Sequence, residues 1–332
     1  MLKLPSTGRR VWIVPLRLAA SLVILTFLFH FIDVTIFWPA LRRVSLPLWF
    51  AILFGYLGVH VLGCFKWAMM MNLAGIGLSP AQAGQGYFGG LFATLFLPSI
   101  VGGDLVRVGL TIRLRGNPPG VVLGNLVDRI VDAAALVCVA GVGASLIPDV
   151  VQSQSGRILR VTTIAIAVVS LVSLIGVAIS ARFAPVRRWS YRTRRELVRL
   201  RQAFRSMLRQ PQRVLVALSI GITVQTAFVL LTSVIASGCG LHVSLRVWLV
   251  AWPLAKLAAL LPVTQGGIGV REAALAALAT PFGAPPAMTV AVGLVWETII
   301  FGGGLVAGVI SYSLGLRGGA PVPARVAHEK SH

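Results

Sequence analysis

Six runs of twenty or more mostly apolar residues cut this 332-residue chain, at 12–32, 47–73, 120–147, 158–180, 214–238 and 288–314. A helix needs about 20 such residues to cross the hydrocarbon core of a bilayer, where every backbone polar group must be satisfied within the protein. Two shorter apolar stretches, 83–97 and 246–262, each run into one eleven-residue skeleton, LPxxxGGxxxR. It reads LPSIVGGDLVR at 97–107 and LPVTQGGIGVR at 261–271, so Pro98 and Pro262, Gly102 and Gly266, and Arg107 and Arg271 are each 164 positions apart. The expectation is an all-α polytopic membrane protein, one integral membrane domain over 1–332 with eight hydrophobic segments. Hydrophobic residues make up 57% and charged residues 12%, too little charge to cover a soluble surface of this size. The N-terminal apolar stretch is long and lacks a small-residue cleavage site, so it reads as a first span rather than a signal peptide.

The formal net charge is +21. That balance suits a nucleic-acid binder, but no such motif accompanies it, and Lys and Arg also collect in the cytoplasmic loops of membrane proteins. Nucleic acid is not an expected partner. Residues 181–213 hold eleven arginines and one acid, which places them in the cytoplasm. There Trp189, Thr193, Leu197, Leu200, Phe204 and Leu208 recur at three- and four-residue steps, the pattern of an amphipathic helix lying on anionic lipid.

The N-terminus carries Lys3, Arg9, Arg10 and Arg17 and belongs on the same side, so an even number of crossings separates it from the arginine linker. Counting 83–97 as a full span gives five. Reading 83–115 as a re-entrant hairpin gives four and keeps Arg113 and Arg115 inside. The second half repeats this arrangement: 214–238 crosses outward, 246–280 dips in and returns, and 288–314 crosses back to a basic tail holding Arg317, Arg325 and Lys330. The reading is therefore about six full spans plus two re-entrant hairpins. Repeat one (47–147) and repeat two (214–314) are inverted, and the cytoplasmic linker 181–213 joins them. Interrupted segments at corresponding places in two halves are a pointer to transport.

Irregular backbone at membrane depth survives only inside protein or against a wet cavity. Pro98 and Pro262 are expected to end the entering helices. Gly102, Gly103, Gly266 and Gly267 are expected to form the hairpin turns and to admit close backbone approach. A helix start follows each turn, where free N–H groups attract anions, with Arg107 and Arg271 about one turn further on.

Charges within apolar segments are costly and face a cavity or a partner. Five of the chain's nine acids fall in or beside these segments: Asp104, Asp128, Asp132, Glu272 and Glu297. In NLVDRIVDAAAL, Asp128 and Asp132 share a helix face, and Arg129 is spaced to pair with Asp132. Arg129 with Glu297, and Asp128 with Arg107 or Arg271, are the expected interior pairs. They serve either as ion pairs pinning the halves together or as a polar substrate path. Lys66 and Lys256 are weaker candidates, since lysine can snorkel to an interface.

Cys64, Cys138 and Cys239 are scattered, and the five histidines form no HxxxH or HExxH pattern, so no metal site is expected. No Ser/His/Asp set or GxxxxGK[ST] loop points to catalysis or nucleotide use. No cofactor and no catalytic residue is expected.

The segments GGDLVR (102–107), VDR (127–129) and GGIGVRE (266–272) resemble the transmembrane region of lysylphosphatidylglycerol synthetases and their stand-alone flippase-like relatives. The resemblance spans about residues 12–314. It implies movement of lipids or lipid-linked headgroups between leaflets, and some relatives accompany hopanoid or glycolipid pathways. The aminoacyl-transferring relatives carry a separate cytosolic catalytic domain, and only a short tail follows residue 314, so the resemblance implies the flippase half alone. The expected function is a bacterial inner-membrane lipid translocase, multi-pass with both termini cytoplasmic. It would hold an anionic headgroup on Arg107, Arg129 and Arg271, with Asp104, Asp128, Glu272 and Glu297 balancing the charge. The alternatives are an integral-membrane lipid-modifying enzyme and an accessory subunit of a lipid or glycolipid (hopanoid-type) synthesis complex. Membrane lipids are the expected partners, with a homo-oligomer or a lipid-synthesis protein as the further assembly.

Overall fold

The computed structural model describes residues 34–97, 100–147, 209–259 and 267–317, with isolated positions at 26, 198, 202, 205 and 264. The spans expected at 12–32 and 158–180, most of the linker 181–213, and Pro98, Pro262 and Gly266 lie outside these residues. Regular structure among the described residues is entirely helical. In chain order it comprises α1 (Val34–Arg42), α2 (Leu46–Leu73), α3 (Pro80–Ala93), α4 (Ile100–Arg115), α5 (Pro118–Ser145), α6 (Pro211–Gly238), α7 (Leu245–Ala258), α8 (Val270–Ala279) and α9 (Pro286–Arg317), with a 3-10 turn at Thr280–Phe282.

Local chemistry sets the helix starts. Ser45 accepts a hydrogen bond from the Leu48 N–H, Asn117 accepts from Gly120, and Ser79 forms a capping box with Gln82. Proline stands in the first turn of α2, α3, α5 and α6, where no intrahelical N–H partner is lost. Gly116, at φ 65°, turns the chain from α4 into α5.

The long helix, broken pair, long helix pattern occurs twice. The first set is α2, α3/α4, α5, and the second is α6, α7/α8, α9. The sets interlock: α3 packs on α9, α7 on α5, and α2 on α6. Exchanging the halves preserves these neighbours. Among the described residues three helices, α2, α6 and α9, are long and apolar enough to cross a membrane. α5 equals α2 and α6 at 28 residues but carries Asp128, Arg129 and Asp132 near its middle.

Small residues let the helices approach. Gly302, Gly303 and Gly304 of α9 abut Trp49, Tyr56 and Leu95, and Gly308 abuts Phe92. These glycines seat large side chains of the facing helices, and such tight contact is how helices gain dispersion energy where lipid supplies no hydrophobic drive. The largest core cluster runs through α1, α2, α5, α6, α7, α8 and α9, and includes buried Trp248, Trp252 and Trp296.

The two motif copies take different backbone forms. Gly102 and Gly103 lie within the first turn of α4, not in a hairpin turn as expected. Their role is close packing. A Cβ on Gly103 would sit 2.6 Å from the Gly90 carbonyl oxygen, and one on Gly90 would sit 2.9 Å from that of Gly103. In the second copy Gly267 and Gly269 hold φ of 83° and 87°, and α8 begins at the next residue. Arg107 therefore stands two turns into its helix, and Arg271 is the second residue of its own.

Candidate functional site

Two adjoining cavities of about 170 and 190 Å³ lie among the helices and share His60, Leu91, Thr94, Phe228 and Lys256 on their walls. The first is also lined by Lys66, Tyr87, Asp104, Arg107, Asp128, Arg129, Asp132 and Gln225. The second is lined by Tyr56, Trp252, Arg271, Trp296 and Glu297 among others. Each motif thus delivers its charges to one cavity.

In the first cavity α2, α4 and α5 contribute a closed set of charges. Lys66, 3% exposed at its side chain, contacts Asp128 and lies 3.0 Å from Asp132. Arg107 pairs with Asp104 one turn earlier on α4. Arg129 reaches Asp104 at 3.2 Å, Asp128 at 3.4 Å and Asp132 at 3.6 Å. Asp104 therefore joins GGDLVR to VDR, and three cations face three carboxylates. The Arg107 guanidinium also faces both the Trp67 and Tyr87 rings, 5.2 Å from each centroid, a geometry suited to cation–π attraction.

The second cavity is uneven. Arg271 pairs with Glu297 of α9, and its Nε lies 3.6 Å from Glu272. Glu272 is fully buried and accepts the Gly269 N–H at 2.6 Å, so the protein's own carboxylate occupies the start of α8 where a free anion site was expected. One arginine here faces two carboxylates.

Lys256 stands between these sets. It donates to Gln225 Oε1 at 2.9 Å and lies 4.5 Å from the Phe228 centroid, and among the described residues it contacts no carboxylate. An aromatic shelf surrounds it. Trp252 and Trp296 meet edge-on at 4.7 Å, Trp296 lies 5.9 Å from both Tyr56 and Phe228, and His60 Nδ1 is 3.1 Å from the Tyr87 hydroxyl.

These contacts revise the expected pairs. Arg129 and Glu297 do not pair with each other, because each finds carboxylates or an arginine within its own half. Asp128 pairs with Lys66 and Arg129, not with Arg107 or Arg271. Lys66 and Lys256 do not snorkel; they enter the cavities from the middle of α2 and the last turn of α7. Of the seven expected binding residues, Asp104, Arg107, Asp128 and Arg129 meet in the first cavity and Arg271 and Glu297 in the second, while Glu272 sits behind Arg271 as a cap. Lys66 and Lys256, the weaker candidates, join them on the cavity walls, and His60, Tyr87 and Gln225 are additions. The only sequence signal for them was a polar residue in an apolar segment. No group of three or more metal-ligating side chains occurs among the described residues.

No curated protein and no solved structure matched the chain. A model of the lysylphosphatidylglycerol synthase transmembrane region matches residues 14–308, which contain both motif copies and every cavity residue named above. Taken with the three spanning-length apolar helices, that match identifies a membrane protein. The chain belongs to the lysylphosphatidylglycerol synthase transmembrane-region family.

Proposed function

We propose that the protein is a translocase of a bacterial inner membrane that passes the headgroup of an anionic lipid between leaflets, with both termini cytoplasmic. The observation that carries this reading is the pair of charge-lined cavities deep within apolar helices. Charges are expensive at such depth, and a merely structural core gains as much or more from apolar packing. A polar passenger gives them a use. The preserved neighbours on exchange of the halves support an inverted repeat, in which α3/α4 and α7/α8 are re-entrant hairpins entering from opposite faces. In this arrangement the headgroup crosses through the cavities while the acyl chains stay in lipid. The protein acts as a carrier and makes no covalent change to its cargo.

The test is reconstitution. Lipids co-purifying with the full chain are identified by mass spectrometry. A headgroup-labelled form of the enriched anionic lipid is then placed in proteoliposomes, and the fraction that a membrane-impermeant quencher can reach is followed in time. Protein-dependent exchange faster than in empty vesicles is expected. Equal rates in the two vesicle sets would overturn the reading.

A further inference from the structure

We propose that Lys256 is the residue that takes the negative charge of the guest, while the motif arginines Arg107, Arg129 and Arg271 form the fixed frame of the site. The claim rests on the reading of the cavities as a lipid-headgroup path and names its charge-recognising residue. The guest chemistry is a phosphate-type anion.

Charge accounting favours Lys256. In the first cavity Lys66, Arg107 and Arg129 are matched by Asp104, Asp128 and Asp132, and each cation contacts at least one of these acids. An anion arriving there would have to displace a carboxylate already bound. In the second cavity Arg271 is shared by Glu272 and Glu297, so that cluster carries one surplus negative charge and repels an anion. Lys256 brings the joined cavities to five cations against five carboxylates, yet among the described residues it contacts none of those carboxylates, so an arriving anion has no carboxylate to displace from it. Its partners are a neutral amide and an aromatic ring, and it borders both cavities, where a passing headgroup must come within reach.

The neighbouring donors fit this assignment. Trp252, on the second cavity wall one turn before Lys256 in α7, has a buried indole N–H with no acceptor among the described residues. The Nε of Arg107, in the first cavity, likewise makes no hydrogen bond among the described residues, whereas that of Arg271 faces Glu272 at 3.6 Å. Buried donors without acceptors are rare, and a guest rich in acceptor oxygens supplies what they lack. A lysine point charge with rotatable donors tolerates a phosphate that approaches first from one cavity and then from the other, as a fixed arginine fork does not.

The experiment measures binding rather than transport. The full chain is held in nanodiscs of phosphatidylcholine, and binding of sn-glycerol 3-phosphate, inorganic phosphate and uncharged glycerol is followed by tryptophan emission and by calorimetry. Solubilised short-chain phosphatidylglycerol is the lipid arm. The expected result is saturable binding of the phosphate-bearing probes and none of glycerol, with Lys256→Gln weakening binding tenfold or more and Lys256→Arg retaining most of it. Tighter binding of the lipid than of the free phosphates identifies a lipid headgroup as the source, and equal affinity identifies a free phosphate. Unchanged affinity in a folded Lys256→Gln protein overturns the proposal, as does absence of saturable binding by any phosphate probe. If Lys256→Gln fails to fold, the uncharged Lys256→Met variant takes its place, and retention of phosphate binding there is equally decisive. Binding without leaflet exchange would refute translocation and leave the anion site standing.

Discussion

Asp104 of α4 and Arg129 of α5 lie 3.2 Å apart, so the GGDLVR and VDR segments meet across neighbouring helices. Asp104 also holds Arg107. One carboxylate thereby links both arginines of the first cavity to the charge set of α5. Asp104→Ala leaves buried Arg107 without its carboxylate, while the partly exposed Arg129 keeps Asp128 and Asp132, so the cost falls below the about 3–5 kcal/mol of breaking a fully buried pair. A clear fall in the thermal unfolding midpoint is expected, larger than for Asp104→Glu. Equal midpoints for wild type and Asp104→Ala would show that water or lipid already screens these arginines.

Lys66 and Asp128 give a second stability experiment. Either Lys66→Met or Asp128→Leu alone unbalances the buried set by one charge, with the remaining partner left to Asp132 or Arg129 only, whereas the double change removes one charge of each sign and leaves Asp132 paired with Arg129. The double variant is expected to be more stable than either single one, because matched apolar replacements of a buried ion pair are often neutral or better. The measurement is the unfolding midpoint of all four proteins in one detergent. A double variant as unstable as the worse single one would contradict the pairing.

Arg129 and Glu297 occupy corresponding places in the two halves yet pair only within their own half. The charge swap Arg129→Glu with Glu297→Arg should therefore give no rescue. The stability losses of the two single variants should add to within about 0.5 kcal/mol, as for independent sites. Coupling well beyond that would mean that the two residues meet in another conformation of the protein.

Gly103 and Gly109 separate packing glycines from idle ones on the same helix. A Cβ on Gly103 would press on the Gly90 carbonyl, so Gly103→Ala or Gly103→Val should cost about 1–3 kcal/mol by forcing α4 from α3. Nothing lies within 4 Å of a Cβ at Gly109, and alanine there should stabilise α4 by about 0.5–1 kcal/mol through its higher helix propensity. Thermal unfolding of the two alanine variants checks the contrast, and a reversed order would refute the packing role.

The proposed orientation makes one prediction about sidedness. Single cysteines placed in 75–79 and at 116, in a background free of native cysteine, should react with a membrane-impermeant maleimide from the cytoplasmic side. Cysteines at 240–243 and 283–285 should react from the opposite side. Finding 77 and 116 on different sides would make α3/α4 a true span and would end the inverted-repeat reading.

The sequence by itself determined the helices and the inventory of buried charge. Long apolar runs can satisfy their backbone only as helices at membrane depth, so α2, α5, α6 and α9 fall within about three residues of the apolar runs at 47–73, 120–147, 214–238 and 288–314. The same constraint made every acid in those runs conspicuous, and Asp104, Asp128, Asp132 and Glu297 all border a cavity. Tertiary structure decided the partners. Ion pairing depends on distances of a few ångströms between helices, and spacing along the chain carries no information about which helix faces which. Hence Asp128 found Lys66 on α2, 62 positions away, and Arg271 found Glu297 on α9. The repeated LPxxxGGxxxR skeleton likewise left the backbone open, since glycine serves a positive-φ turn and a tight helix contact equally well. In the first copy the contact with Gly90 holds Gly103 inside α4, while Gly267, at φ 83°, turns the second. Lys256 shows the limit most plainly: nothing in its sequence neighbourhood separates an interfacial lysine from one held between two cavities, and only the packing of α6 against α7 placed Gln225 and Phe228 beside it.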